Sequence, residues 1–201
     1  MSISDAQTRS ANKRSYRLGA RALKQEETRR RIVEAAVDLH CSVGPARTTV
    51  AQIAERAGVQ RHTYYAHFPD ERDLFMACSG LALERDPLPA VEGWRAIAPG
   101  RKRLREGLAE LYDWYRRNEG QAACVLRDAE HHALTRETVA LRMAPTFERA
   151  AALLGEGLPS RAFPLLLVAI QFATWRTLAP MHDPRGAAAL MADALLAVPA
   201  E

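Results

Sequence analysis

The stretch Val50-Ala51-Gln52-Ile53-Ala54-Glu55-Arg56-Ala57-Gly58-Val59-Gln60-Arg61-His62-Thr63-Tyr64-Tyr65 decides the fold. Thr49 before it is a good N-cap for a short helix from Val50 to Ala57, with inner face Val50, Ile53, Ala54 and Ala57. Gly58 follows as a breaker able to take positive φ, and a second short helix is predicted from Gln60 to Ala66. Two helices that cross steeply through a tight turn need a small residue at the crossing, a left-handed residue in the turn and apolar side chains to close the wedge. Ala54, Gly58 and the set Ile53, Val59 and Tyr64 meet those three demands. Each is weak alone; together they specify a helix-turn-helix.

Working outward, Ile32, Ala36, Leu39 and Val43 form one stripe of an amphipathic helix over Gln25 to Val43, stopped by Gly44-Pro45. After Pro69, Asp70 caps a longer helix through Leu74, Cys78, Leu81 and Arg85. Pro87 to Gly100 breaks the pattern, and helices are expected near 99–117, 120–132, 136–154, 160–179 and 184–198. No stretch alternates with period two. The expected fold is therefore all-α, about nine helices: a basic flexible arm over 1–24, a three-helix DNA-binding domain over 25–69, and a larger helical domain for ligand binding and dimerisation over 70–201.

Charge points the same way. Residues 1–72 hold 13 Lys/Arg against 8 Asp/Glu, while the rest of the chain holds 15 against 16, so the excess positive charge sits at one end. That is the distribution of a protein whose one end meets a polyanion. Cys41, Cys78 and Cys124 are odd in number and widely spaced, which gives no disulfide framework and no zinc-ligand pattern. Arg161 and Arg176 flank the longest apolar run, Ala162 to Trp175, and Pro164 interrupts it, so a buried helix is expected rather than a membrane span. The expected location is cytoplasmic, with no membrane partner and no cofactor.

A recognition helix enters the major groove by its N-terminal end. Here its outward side chains are Gln60, Arg61, His62 and Thr63, with Tyr65 and His67 further round. Gln can bond adenine and Arg guanine in bidentate fashion, while His and Thr reach base edges and hydroxyls suit phosphates. Arg47 and Thr49, ahead of the first helix of the pair, complete the expected DNA-facing set. One such helix gives little specificity, so a two-fold dimer on a palindromic operator is expected.

At these residues the sequence resembles the tetracycline-repressor (TetR) type of regulator. The resemblance is carried by Thr49, Ile53-Ala54, Ala57-Gly58-Val59, Thr63, Tyr65, His67-Phe68 and Leu74, preceded by Arg30, Ile32 and Ala35-Ala36. It covers about 50 residues. It implies phosphate contacts by Thr49, Tyr65 and His67, and base contacts by Arg61, His62 and Thr63. It also implies a homodimer with a four-helix interface and a small-molecule effector pocket in the later helices. Two positions depart from the pattern. Glu71 stands where many members have a phosphate-gripping Lys, with Arg72 beside it as a substitute, and Gln60 replaces a small capping residue. Arg14, Arg17 and Arg21 give the arm a reach towards an adjacent minor groove.

In the C-terminal half, Trp114, Tyr115, His131, Phe147, Phe172 and Trp175 are the expected effector-lining residues. Leu166, Ile170, Ala173, Leu190 and Ala194 are the expected dimer face, because residues 160–179 are apolar on more than one side and the last helix is rich in alanine. Asp128, Glu130, His131 and His132 invite a metal or catalytic reading. Adjacent histidines cannot both face one ion from a single helix, and no phosphate loop or nucleophile motif accompanies them, so a charged face is expected with no metal and no enzyme activity. An architectural DNA-binding protein without effector is the competing reading; a well-formed pocket counts against it.

Overall fold

The computed structural model describes residues 3–200, and side chains from residue 19 onward. Among the described residues there are ten α-helices and no strand. They are α1 (Ile3–Ser42), α2 (Val50–Ala57), α3 (Arg61–His67), α4 (Glu71–Arg85), α5 (Arg101–Arg117), α6 (Glu119–Ala129), α7 (Ala133–Gly155), α8 (Phe163–Ala169), α9 (Phe172–Leu178) and α10 (Pro184–Leu196). Short 3-10 turns occupy Pro45–Arg47, Val91–Ala96 and Ser160–Ala162. The all-α fold with an N-terminal helix-turn-helix is as expected.

Two apolar cores form. The first gathers Ile32, Ala36, Ile53, Ala57, Tyr64, Phe68, Leu74 and Cys78, from α1 to the first half of α4. The second is larger and gathers Trp94, Leu104, Leu108, Leu111, Tyr112, Tyr115, Leu154, Leu166, Trp175 and Leu195. α4 joins them: Leu74 and Cys78 sit in the first core, while Leu83 packs against the second.

The sequence reading differs from the structure at three places. Residues 3–24 continue α1 as helical backbone, where an arm outside regular structure was expected. Nothing there forbids a helix, since the segment has no proline and is rich in Ala, Arg, Lys and Leu. The described side chains from Gly19 to Glu27 are all exposed, which is why no apolar stripe announced it. Arg21 is among them; the side chains of Arg14 and Arg17 lie outside the described residues.

Second, the single helix expected over 160–179 is broken at Ile170-Gln171, where Gln171 turns extended with ψ 145°. The carbonyls near the break are satisfied from α5: Tyr112 Oη donates to the Ala169 carbonyl and Tyr115 Oη to the Ile170 carbonyl, each at 2.7 Å. A buried carbonyl without a partner costs about 1–3 kcal/mol, so two phenols make the break tolerable. Burial, the first cause at both tyrosines, pushes their phenol pKa values well above the ordinary range, which keeps both as donors.

Third, the alanines of α10 pack inside their own protomer. Ala187, Ala188 and Ala192 are fully buried, and α10 lies closely along α5. Gly107 on α5 marks a similarly close approach: a Cβ there would sit 2.6 Å from Leu154 Cδ2 and 3.1 Å from Trp94 Cε3.

Candidate nucleic-acid interface

Local chemistry fixes the α2–α3 pair. Thr49 caps α2 through a reciprocal box: Gln52 N donates to Thr49 Oγ1 at 3.3 Å, and Thr49 N donates to Gln52 Oε1 at 2.8 Å. Gly58 ends α2 with φ 65° and ψ 39°, the left-handed conformation that favours glycine. Val59 N then returns to the Ala54 carbonyl at 2.9 Å. Tyr64, 2% exposed, is the anchor of α3, packed edge-on to Tyr65 and beside Phe68. Burial pushes its phenol up to about 12.

With Tyr64 inside, the opposite face of α3 is outside. Gln60, Arg61, His62 and Tyr65 are exposed, and Thr63 and His67 are half-buried at its edge. These residues share one end of the molecule with Arg47 and Thr49, both exposed. Gln60 occupies the N-cap of α3 but its side chain makes no capping bond, so it is free to reach outward.

Some members of the set have prior engagements that the sequence did not show. Thr49 Oγ1 already donates to Gln52 Oε1 at 2.9 Å. Arg47 Nη2 donates to the Val43 carbonyl at 2.8 Å. Arg72, read as the substitute for a phosphate-gripping lysine, pairs instead with Glu137 of α7 at 2.5 Å. Arg29 was missed altogether: its guanidinium lies 4.2 Å over the Phe68 ring and reaches the His67 carbonyl at 3.4 Å, which ties α1 to the end of α3.

Two hollows lie further along. One, about 100 Å³, sits at the seam between the cores, lined by His40, Cys41, Phe75, Cys78, Trp114 and Met143 among others. Its titratable groups are held uncharged. Burial lowers the His40 pKa to about 4 against the opposing field of Asp128, and burial raises Cys41 to about 11 and Cys78 to about 12. The other is an open cleft of about 1080 Å³ between α6, α7 and the α8–α9 break, lined by Tyr115, Arg127, Glu130, Phe147, Phe172 and Arg176 among others.

The structure therefore divides the expected effector set. Tyr115, Phe147 and Phe172 line the cleft, and Trp114 lines the seam cavity. Trp175 is buried in the second core, and His131 is exposed and lines neither hollow. The expected dimer face divides too. Leu166 and Ile170 are buried in their own protomer's core and have no surface to offer a partner, whereas Ala173, Leu190 and Ala194 are exposed. The helical periodicity of 160–179 was read as one face of a straight helix, and the break rotates those two side chains inward. Asp128, Glu130 and His131 do not converge: Asp128 is buried while the other two are exposed, and among the described residues no group of His, Cys, Asp or Glu could hold a metal ion. Nor, among them, is any helix long and apolar enough to cross a membrane.

Residues 32–78 match the family model described as bacterial regulatory proteins, tetR family. Over 58 residues the chain is 45% identical to the HTH-type transcriptional regulator AcrR of Shigella flexneri, a stretch that is 28% of this chain and 27% of that one. Such matches span between a quarter and a third of the curated relatives. Likeness of fold extends further. A mutant of the HlyIIR protein shares it with a TM-score of 0.61 at 17% identity, over 87% of this chain and 98% of that one. A multidrug binding protein, EbrR, solved in complex with imidazole, shares it with a TM-score of 0.56 at 21% identity, over 86% and 96%. Through the module at residues 32–78, set in this fold, the chain belongs to the tetR family of bacterial regulatory proteins.

Proposed function

We propose that the chain is a sequence-specific DNA-binding transcriptional regulator of the cytoplasm, acting as a homodimeric repressor that leaves a palindromic operator when a small molecule binds the region 70–201. The observation that carries it is the outer face of α3, where Gln60, Arg61, His62 and Tyr65 stand exposed on a helix anchored from behind by Tyr64. Arg61 is the residue for guanine, His62 and Thr63 for other base edges, and Arg47, Thr49, Tyr65 and His67 for phosphates. The domain boundary falls at Asp70, where α4 starts and leads from one core to the other.

Dimerisation is supported by apolar side chains left in solvent on α8 and α10. Phe163, Leu167, Val168 and Leu190 are 41–48% exposed, beside the exposed Ala173 and Ala194. Such a patch favours a second copy. Effector binding is supported by the open cleft, whose apolar wall of Tyr115, Phe147 and Phe172 faces Arg127, Glu130 and Arg176. An imidazole complex in a protein of the same fold points the same way.

Selection of random-sequence duplexes by the full-length protein at near-physiological salt tests the reading. The expected product is a palindrome with half-sites about one helical turn apart. On that site Arg61→Ala is expected to cost about 1–3 kcal/mol of binding and relax one position. No enrichment by a folded sample refutes the reading, and a uniform loss over all sequences moves Arg61 to the phosphates.

A further inference from the structure

The loop from Val43 to Thr48 joins α1 to α2, and it is gripped from the other region of the molecule. Asp128, near the end of α6, is 1% exposed. Its Oδ2 accepts the Ala46 amide at 2.9 Å, and its Oδ1 accepts Arg127 Nε at 2.8 Å. Arg127 Nη2 in turn donates to the Val43 carbonyl at 3.1 Å. Between these contacts lies Gly44, at φ 103°. A Cβ on Gly44 would stand 2.4 Å from Arg127 Nη2 and 2.4 Å from Asp128 Oδ2, so only glycine lets loop and clasp meet.

A carboxylate out of water is costly unless its oxygens are satisfied. Burial opposes the charge on Asp128, but the Ala46 amide and the Arg127 guanidinium outweigh it and hold the carboxyl below its ordinary range. The clasp thus contrasts with the Arg72–Glu137 pair between α4 and α7, whose side chains are more than half exposed and which contributes little. What the clasp holds is the segment that presents Arg47 and then Thr49. Arg127 also lines the large cleft, so one guanidinium touches both the cleft and the loop.

We infer that Asp128 is a positioning residue for DNA binding: with Arg127 it fixes the loop that places Arg47 and Thr49 against the phosphate backbone. The inference rests on the DNA-binding reading above. It makes α6 a direct support of the DNA-facing surface, in addition to the covalent route through α4.

The test uses full-length protein, the selected operator and two variants that break the clasp from opposite sides, Asp128→Ala and Gly44→Ala. In each, amide exchange over residues 43–49 is expected to quicken at least tenfold while that of α3 stays unchanged. Operator binding is expected to weaken about fivefold to tenfold, equally for all sequences, and the slope of log K against log salt to fall by about one, the signature of one lost phosphate contact. The double variant adds nothing to either single one. A purely structural defect lowers the folded fraction and leaves that slope alone. Should Asp128→Ala fail to fold, Gly44→Ala and Arg127→Met carry the same measurement. Unchanged slope and affinity in a folded variant with a loosened loop overturns the inference, as does unchanged exchange. If the wild-type protein selects no operator, the DNA-binding reading falls, and the exchange rates still decide whether the clasp holds the loop.

Discussion

The two cores of this molecule are built by different rules. The first is assembled from signals that neighbouring residues supply to each other: Thr49 and Gln52 cap α2, Gly58 turns it, and Tyr64 anchors α3 from within the same short stretch. The second depends on partners far apart in sequence. Tyr112 and Tyr115 satisfy carbonyls at Ala169 and Ile170, Trp94 Nε1 donates to Glu110 at 2.7 Å, and the buried Arg103 reaches the Ile97 and Leu153 carbonyls at 2.7 and 3.2 Å. A surface that must fit one polymer, DNA, can be written compactly. A region that shapes hollows and packs ten helices around them is specified by contacts that no local window contains.

The seam between the two regions provides the largest expected effect. His40 is buried there, with Nδ1 3.7 Å from Cys78 Sγ and its ring beside Phe75, near Asp128 and His132. Burial first, then the field of His132, lowers its pKa to about 4 from the ordinary 6.5, although Asp128 pulls the other way. Below pH 6.5 the unfolded chain takes up a proton that the folded chain refuses, so stability falls as pH drops and stops falling on this account near pH 4. The full swing is on the order of 3 kcal/mol. Denaturation of wild type and His40→Leu at pH 7, 5.5 and 4.5 measures it. The two proteins are expected to diverge, with the variant losing less on acidification; parallel curves would show that His40 does not carry the dependence.

That contrast also explains what could be read in advance. The helix-turn-helix, its boundaries to within a residue or so, and the outward placement of Arg61, His62 and Tyr65 follow from spacing and caps. The break at Ile170-Gln171 could not be foreseen, because neither glycine nor proline stands there and the tyrosines that support it lie more than fifty residues earlier. The same break turns Leu166 and Ile170 away from the expected dimer face. Asp128 was visible only as one charge in a charged run, since its partner is a backbone amide 82 residues away. The helix over residues 3–24 escaped because periodicity reports burial, and the described part of that segment buries nothing.

A mid-sized effect tests the long-range rule. Tyr115→Phe keeps the ring that packs on Phe147, Phe172 and Trp175 but removes the donor to the Ile170 carbonyl. The cost is expected to be about 2 kcal/mol, within the usual range for a buried acceptor left alone. Amide exchange should quicken over 170–175 and remain unchanged across α2 and α3. An equal loss in both regions would mean that the cores unfold as one unit and that the distinction drawn here is geometric without being energetic.

The smallest effect tests the local rule. Gly58 has room for a side chain, since the nearest atom to an added Cβ is Arg31 Nη1 at 3.8 Å. Gly58→Ala therefore meets no steric clash, and its cost comes from holding alanine at φ 65°. That is about 1 kcal/mol. Urea denaturation should show a lowered midpoint with an unchanged slope, because the exposed area on unfolding is the same. If the turn relaxes to relieve the strain, α3 swings, and operator affinity drops by far more than the stability does. If the loss of affinity stays within the loss of stability, Tyr64 and Phe68 alone hold α3 in place, and the glycine serves only the backbone of the turn.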